Sequence, residues 1–138
     1  MIPLDTGILS EAMKPASEHR LQSWLDAQRP ESLFISSVSV GEILYAIGLL
    51  PVGSGKDQLA KALERTLNLF SGRTLTFDTV WAFSFAEIAI AAKDKGKSYA
   101  VADAYQAAIA AGHGLTLASR TPALYESFGV LVIEPGEQ

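Results

Sequence analysis

The chain has 138 residues, 49% of them hydrophobic and 19% charged, a composition that excludes intrinsic disorder and fits a single domain over residues 1–138. Its formal net charge of −4 excludes a protein that binds nucleic acid through overall positive charge. RNA can still be a substrate if a metal ion neutralises the carboxylates locally. Because cysteine is absent and histidine occurs only twice, disulfides and zinc–thiolate sites are excluded, and oxygen ligands are the metal chemistry that remains.

Short strand-like runs alternate with longer helical runs, a pattern typical of a parallel sheet covered by helices. We therefore expect an α/β fold with a central parallel sheet of about five strands. The last predicted strand is an uninterrupted apolar run, as expected of a strand buried on both faces. The predicted strands are residues 2–5, 33–36, 74–77, 115–119 and 130–133.

The helical runs carry apolar residues at spacings of three and four, so one face of each helix can pack on the sheet. Leu59, Leu63 and Leu67 form one such stripe, which is a candidate partner surface, although stripes of this kind more often belong to a core. The predicted helices are residues 6–13, 17–27, 38–50, 56–70, 79–95 and 102–111, followed by a short helix that begins at Pro122.

Three carboxylates stand where such a sheet would bring them to one edge. Asp5 ends the first predicted strand, Glu42 opens the helix after the second strand, and Asp103 opens an alanine-rich helix. In open α/β sheets, ligands bind beyond the carboxyl ends of the strands, where helices begin. Converging acids at this place would form a site for a hard divalent cation, which suits phosphodiester chemistry.

Each acid also has a purely structural interpretation. Asp5 and Asp103 can cap the helices that follow them, and such caps stabilise a helix by about 1 kcal/mol. Ser39 and Glu42 have the spacing of a capping box, with Ser39 as the N-cap. Because all three acids lie at strand-to-helix junctions of the same sheet edge, the sequence favours a shared metal site over three separate caps.

Five short motifs occur together in an order and at a spacing that resemble one known family. They are residues 4–11 (Leu-Asp-Thr-Gly-Ile-Leu-Ser-Glu), 37–43 (Ser-Val-Ser-Val-Gly-Glu-Ile), 77–78 (Phe-Asp), 102–108 (Ala-Asp-Ala-Tyr-Gln-Ala-Ala) and 114–120 (Gly-Leu-Thr-Leu-Ala-Ser-Arg). Over residues 2–135 the chain resembles PIN domains of the VapC type, and among these the FitB-like plasmid-stability branch.

This resemblance implies a three-layer α/β/α fold and a metal-dependent endoribonuclease that acts as the toxin of a toxin–antitoxin pair. It implies that Asp5, Glu42 and Asp103 are the catalytic residues and hold Mg²⁺ or Mn²⁺. The implied partners are an RNA substrate and a cognate antitoxin protein, in a homodimer or a toxin–antitoxin hetero-oligomer. The charges agree with a metal site, because three anions packed together raise each other's pKa unless a cation neutralises them.

The sequence departs from the family at Thr121, where such proteins usually have Asp or Asn after the Ser-Arg or Thr-Arg pair. Family members with Asn there often carry Asp three residues later, and this chain has Leu124. Because a hydroxyl adds no negative charge, the sequence favours one ion held by three carboxylates over a two-metal site. The alternative function is a catalytically impaired PIN domain that binds RNA or a partner protein without cutting.

Four further residues are candidates for contact with the substrate or for support of the ligands: Thr6, Ser119, Arg120 and Thr121. Arg120 can either grip a phosphate through two hydrogen bonds or form a surface salt bridge. The Thr121 hydroxyl can either hold a metal-bound water or cap the helix that begins at Pro122. Ser119 can orient a water or belong to a turn.

The sequence also carries an expectation about location. Asp5 and Glu11 interrupt the amino-terminal apolar stretch, so no signal peptide is predicted. No uncharged apolar run has the length needed to span a bilayer. We therefore expect a soluble protein of the cytoplasm, with no membrane partner.

Overall fold

The computed structural model describes residues 1–136, and in this range five short strands and seven α-helices follow one another in the predicted alternation. The strands are β1 (Ile2–Pro3), β2 (Leu33–Ser36), β3 (Thr74–Leu75), β4 (Leu117–Ala118) and β5 (Val132–Ile133). The helices are α1 (Thr6–Ala12), α2 (His19–Ala27), α3 (Ser37–Gly48), α4 (Ser54–Leu69), α5 (Thr79–Asp94), α6 (Val101–Gly112) and α7 (Pro122–Glu126), with a 3-10 helix at Pro30–Ser32.

All strand pairs are parallel, as the alternation of strands and helices predicts. β2 lies between β1 and β3, while β4 pairs with β5. A single bridge between Leu4 and Ala118 joins the two groups, and beside it the Asp5 N–H donates to the Ala118 carbonyl at 3.0 Å. The strands therefore follow the order β3-β2-β1-β4-β5. The order reverses between β1 and β4, which is where ligand crevices form in open α/β sheets.

Several strands are shorter than the sequence pattern predicts. β3 is confined to Thr74–Leu75 instead of residues 74–77, and β4 is confined to Leu117–Ala118 instead of residues 115–119. The expectation that residues 130–133 are buried on both faces is wrong, since Leu131 is 72% exposed. Within the described residues β5 pairs with β4 alone, and an apolar run does not distinguish such an edge strand from a central one.

The helix bounds agree with the prediction to within two residues, and the apolar stripes face inward. Leu63 is buried, and Leu59 and Leu67 pack against the same cluster, so this stripe belongs to the core and is not an exposed partner surface. Trp81 and Ile88 of α5 are buried as well. None of the helices in residues 1–136 combines the length and the apolar character that a membrane span requires.

Close packing around α6 fixes the helix that carries Asp103. Ile88 of α5, Ala104 and Ala108 of α6, and Leu117 of β4 belong to one buried cluster. At the far end of α6, a side chain on Gly112 would bring a Cβ to 2.6 Å from Trp81 Cδ1, so only glycine fits there. The small residues of α6 therefore let it lie close to both α5 and the sheet.

Candidate active site

The three acids singled out from the sequence line one pocket of about 470 Å³. Asp5 follows β1, Glu42 lies in the second turn of α3, and Asp103 lies in the first turn of α6. The same pocket is lined by Thr6, Gly7, Ile8, Glu11, Arg120, Thr121, Leu124 and Tyr125. Folding therefore brings acids from three separate elements, distant in sequence, into one concave surface.

Asp5 is a helix cap and also a buried acid. Its Oδ1 accepts the Ile8 N–H at 2.8 Å, which caps α1 as the structural interpretation predicts. Asp5 is only 6% exposed, and burial is the main reason why the pKa of its carboxyl lies above the usual range. Hydrogen bonds from Ser119 and Ile8 lower this pKa, while the negative charges of Asp103 and Glu42 raise it. The cap therefore accounts for one hydrogen bond of Asp5, and together with Ser119 it offsets the cost of the buried charge only in part.

Glu42 is held by a hydroxyl from another helix. Thr6 Oγ1 donates to Glu42 Oε1 at 2.7 Å, which ties α1 to α3. The capping-box interpretation of Ser39 and Glu42 is wrong, because Ser36 is the N-cap and its hydroxyl accepts the Ser39 N–H at 3.1 Å. Since α3 starts immediately after β2, the last strand residue supplies the cap. Glu42 therefore lies one turn further along the helix, where it faces the pocket.

Asp103 lies in the first turn of α6 but is not its N-cap, which is Ala100. The prediction that Asp103 opens this helix is correct to within two residues, whereas the interpretation as an N-cap is wrong. Burial raises the pKa of the Asp103 carboxyl, and a hydrogen bond with the Ala100 backbone lowers it in part. Asp103 is thus a second acid whose ionised form the metal-free protein disfavours.

A buried amide that the sequence analysis did not single out lies next to the acids. Gln106 is 2% exposed, and its Nε2 donates to the Thr6 hydroxyl at 3.0 Å and to the Ser39 hydroxyl at 2.6 Å. The Ser36 hydroxyl donates to Gln106 Oε1 at 3.3 Å. The available signal was the spacing, since a residue three positions after Asp103 lies on the same side of an α-helix.

Tyr125 is a second residue that the sequence did not indicate. Its ring is buried, with 4% of the residue exposed, and it lines the pocket from α7. Burial raises the pKa of its hydroxyl, and the negative charges of Asp5, Asp103 and Glu42 raise it further. The hydroxyl therefore stays protonated and remains a hydrogen-bond donor in the presence of the acids.

The rim of the pocket is formed by the segment between β4 and α7. Arg120 lines the pocket while its Nη1 pairs with Glu18 Oε2 at 2.6 Å, so the structure contains the salt bridge that was one of its two interpretations. The Thr121 hydroxyl lies 3.1 Å from the Ser119 hydroxyl and makes no capping hydrogen bond. Thr121 is the N-cap residue of α7, as the sequence predicts, but the expectation that its hydroxyl makes the capping hydrogen bond is wrong. Ser119 instead accepts the Thr121 N–H at 3.0 Å, which makes it part of a turn.

The donor chemistry of the pocket fits a hard cation. Within residues 1–136, none of the three carboxylates forms an ion pair with a basic side chain. Carboxylate oxygens are the protein ligands that Mg²⁺ and Mn²⁺ prefer. As they stand, however, the acidic and histidine side chains of the described residues form no group of three that could hold one metal ion. The carboxylates are thus spread around the pocket and do not converge on a common point.

The PIN-domain family model matches residues 2–125, and the chain belongs to this family. The family that the five sequence motifs indicate is thereby confirmed.

Individual relatives match almost the whole chain. It is 37% identical to plasmid stability protein StbB of Pseudomonas syringae pv. tomato, over 99% of this chain and 99% of that protein. It is 39% identical to toxin FitB of Neisseria gonorrhoeae, over 98% of both. It is 35% identical to a VapC ribonuclease of Sinorhizobium fredii, over 99% of both.

A solved structure agrees with these sequence matches. The crystal structure of FitAcB from Neisseria gonorrhoeae contains a chain that superposes with a TM-score of 0.90 at 38% sequence identity, covering 100% of each chain. The expected PIN-like α/β fold with a central parallel sheet is therefore confirmed, although the strands are short.

Proposed function

We propose that this protein is a metal-dependent endoribonuclease that acts as the toxin of a toxin–antitoxin pair. The observation that carries the proposal is the pocket that Asp5, Glu42 and Asp103 line without a basic partner in residues 1–136. Relatives named as a toxin and as a VapC ribonuclease support it. In this proposal residues 1–138 act as one PIN domain in the cytoplasm, where cellular RNA is found.

Asp5, Glu42 and Asp103 are the proposed ligands of one Mg²⁺ or Mn²⁺. When bound, such an ion polarises a phosphoryl oxygen and lowers the pKa of a water, which is the chemistry that phosphodiester hydrolysis requires. Burial raises the pKa of Asp5 and of Asp103, so a cation in the pocket favours their ionised forms. Metal affinity would fall as protons return to these carboxylates.

The remaining polar residues orient the ligands and the substrate. The Thr6 hydroxyl holds Glu42 through its 2.7 Å hydrogen bond. Arg120 binds a phosphate of the RNA when it exchanges its partly exposed pair with Glu18 for the substrate. Ser119 and Thr121 hold each other beside Asp5, and the Thr121 hydroxyl at the rim contacts water or the substrate.

The proposed partner is a cognate antitoxin protein, in a toxin–antitoxin hetero-oligomer or with a homodimer of this chain. The resemblance to toxin FitB and to a chain of the FitAcB structure supports this assignment. Co-expression with the product of an adjacent short reading frame should give a complex in which RNA cleavage stops. A product that neither binds nor inhibits would remove that candidate as the antitoxin.

The function is tested with purified protein and a defined single-stranded RNA. We expect cleavage in Mg²⁺ or Mn²⁺ that stops in EDTA and falls at least about 100-fold in Asp103→Asn, since even residues that only support metal ligands contribute 10- to 100-fold. Asp57→Asn is the matched control, because Asp57 is the acidic residue in the first turn of α4 and does not line the pocket.

Two results would contradict the proposal in different ways. Cleavage that persists in EDTA and in Asp103→Asn excludes the metal mechanism. Binding of RNA without cleavage at any metal concentration supports the alternative of a PIN domain that binds without cutting. The specific observations that favour this alternative are the uncharged Thr121 at the rim and the separation of the three carboxylates.

A further inference from the structure

Gln106 carries a buried amide next to the pocket. It lies in α6 three residues after Asp103, and it is 2% exposed. Polar side chains from three helices and from the end of β2 meet there: Thr6 of α1, Ser36 of β2, Ser39 and Glu42 of α3, and Gln106 itself. A buried amide in such a place has to satisfy two donors and an acceptor.

Every hydrogen-bonding group of this amide has a partner. Nε2 donates one proton to the Thr6 hydroxyl at 3.0 Å and the other to the Ser39 hydroxyl at 2.6 Å. Oε1 accepts from the Ser36 hydroxyl at 3.3 Å. In this orientation both donors and the acceptor of the amide are satisfied, as a stable buried polar network requires.

The orientation of the amide determines the direction of the Thr6 hydroxyl. An amide nitrogen can only donate, so Thr6 Oγ1 accepts from Gln106 and its single proton is left for another acceptor. Glu42 Oε1 lies 2.7 Å away and is that acceptor. Ser39 also accepts from Gln106, so its own proton can point to Thr6 Oγ1 at 2.9 Å.

We propose that Gln106 is a positioning residue that fixes Glu42 through Thr6. The Gln106 amide makes Thr6 an obligatory donor, and Thr6 then fixes the rotamer of the Glu42 carboxylate towards the pocket. The inference rests on the proposed function, in which Glu42 is a metal ligand. It goes further by assigning the direction of that ligand to a residue that does not line the pocket.

The direction of donation explains why glutamine is required. In Gln106→Glu the side chain keeps its shape, but a carboxylate stands where Nε2 donated, and it attracts the Thr6 proton away from Glu42. In Gln106→Met the side chain keeps its length and donates nothing, so Thr6 can turn its proton to Ser39. Both changes release Glu42, the first by reversing the donor and the second by removing it.

The test measures Mn²⁺ binding by calorimetry alongside the melting temperature of the metal-free protein. We expect Gln106→Glu and Gln106→Met to weaken Mn²⁺ binding by about 10- to 100-fold, the range found when the hydrogen-bond partners of metal ligands are removed. Ile109→Val is the matched control, because Ile109 is fully buried in the same helix and takes no part in the polar cluster. It should lower the melting temperature slightly and leave Mn²⁺ affinity within about twofold.

Variants at Thr6 test the path of the effect. Thr6→Val should weaken Mn²⁺ binding like Gln106→Met, while Thr6→Ser keeps the hydroxyl and should restore it. The double variant Thr6→Val with Gln106→Met should bind no more weakly than Thr6→Val alone, because both act on one hydrogen bond. If Gln106→Met does not fold, Thr6→Val and Thr6→Ser still test the inference, because normal Mn²⁺ affinity in Thr6→Val would overturn it.

The outcomes separate this inference from the function on which it rests. If Asp103→Asn loses Mn²⁺ binding while Gln106→Met keeps it, the positioning role is wrong and the metal site stands. An equal loss of affinity in Ile109→Val would also overturn the positioning role, because general destabilisation of α6 would explain it. If neither Asp5→Asn nor Asp103→Asn changes Mn²⁺ binding, the metal site itself is wrong.

Discussion

The carboxylates of Asp5 and Asp78 make the same hydrogen bond in different surroundings. Each accepts the N–H of the residue three positions later, at 2.8 Å for Ile8 and 3.1 Å for Trp81, and each caps the helix that follows it. Asp5 lines a pocket together with Glu42 and Asp103, whereas Asp78 does not line it. The pair therefore separates the capping role of an aspartate from its role in the pocket.

Asp5→Asn should abolish cleavage without unfolding the protein. The amide oxygen of asparagine still accepts the Ile8 N–H, because Asn and Asp are about equally good N-caps. The negative charge is lost, so we expect activity to fall at least about 100-fold while the metal-free melting temperature rises. Asp78→Asn makes the same chemical change at a cap outside the pocket and should leave activity unchanged. Equal losses in the two variants would show that capping, and not charge, explains the effect.

Asp5 and Asp103 should contribute more to the stability of the metal-free protein as the pH falls towards the usual pKa of a free aspartate. The pKa of Asp5 and of Asp103 is raised in the folded state above the usual value of 3.8. Protonation of these acids therefore favours folding, and their contribution is present below the unfolded pKa and is lost as the pH rises through the folded pKa. Surface acids such as Glu11, whose pKa is lowered by Lys14, act in the opposite direction.

A comparison of wild type with Asp5→Asn removes the contribution of those surface acids. Melting temperatures measured without metal from about pH 3 to pH 8 should show the advantage of Asp5→Asn growing as the pH rises above 3.8 and through the raised pKa of the folded state. Saturating Mg²⁺ should reduce that advantage at neutral pH by stabilising the wild type alone. A difference that stays constant across this range would mean that the pKa of Asp5 is not raised.

The position of the pocket could be predicted from sequence because it depends on local order along the chain. Asp5 follows the first strand directly, and parallel strands place the residues after them at one edge of the sheet. Periodicity also located the helices that carry Glu42 and Asp103. The pattern did not predict that Leu131, just before β5, is exposed, since this residue and the buried positions of the central strands look alike in sequence.

The hydrogen bonds around the acids could not be predicted in the same way. The spacing of Ser39 and Glu42 matches a capping box, yet Ser36 caps the helix because α3 begins directly after β2. Ser39 is thereby left to face Gln106, 67 positions away in sequence. Contacts between three helices depend on their packing, and no local pattern records which hydroxyl a distant amide will meet.

Glu18 should compete with RNA for Arg120. The Arg120–Glu18 pair is partly exposed, and such pairs contribute up to about 1 kcal/mol, so Glu18→Gln should tighten RNA binding by up to about fivefold. Arg120→Gln should weaken binding, with a smaller dependence on salt, because one phosphate contact is lost. Binding is measured by fluorescence anisotropy with an uncleaved RNA at several salt concentrations.

The pair between Arg29 and Glu31 provides the control for Arg120. It is an exposed ion pair on the surface, and neither residue lines the pocket. Arg29→Gln should therefore leave RNA affinity and its salt dependence unchanged. If Arg29→Gln and Arg120→Gln weaken binding equally, the effect comes from net charge and Arg120 has no specific contact with the substrate.

Thr121→Asp should strengthen the metal site and destabilise the metal-free protein. Thr121 lines the pocket, and its hydroxyl lies 3.1 Å from that of Ser119, which in turn donates a hydrogen bond to Asp5. A further carboxylate at this place adds a like charge, so the melting temperature in EDTA should fall at neutral pH. Mn²⁺ should bind more tightly, and cleavage at limiting Mn²⁺ should increase. Thr121→Asn has nearly the same shape without the charge and should change none of these quantities by more than about twofold. If neither Thr121→Asp nor Thr121→Asn changes the Mn²⁺ affinity, position 121 lies too far from the ion to act as a ligand. Asp5, Glu42 and Asp103 are then the complete set of carboxylate ligands.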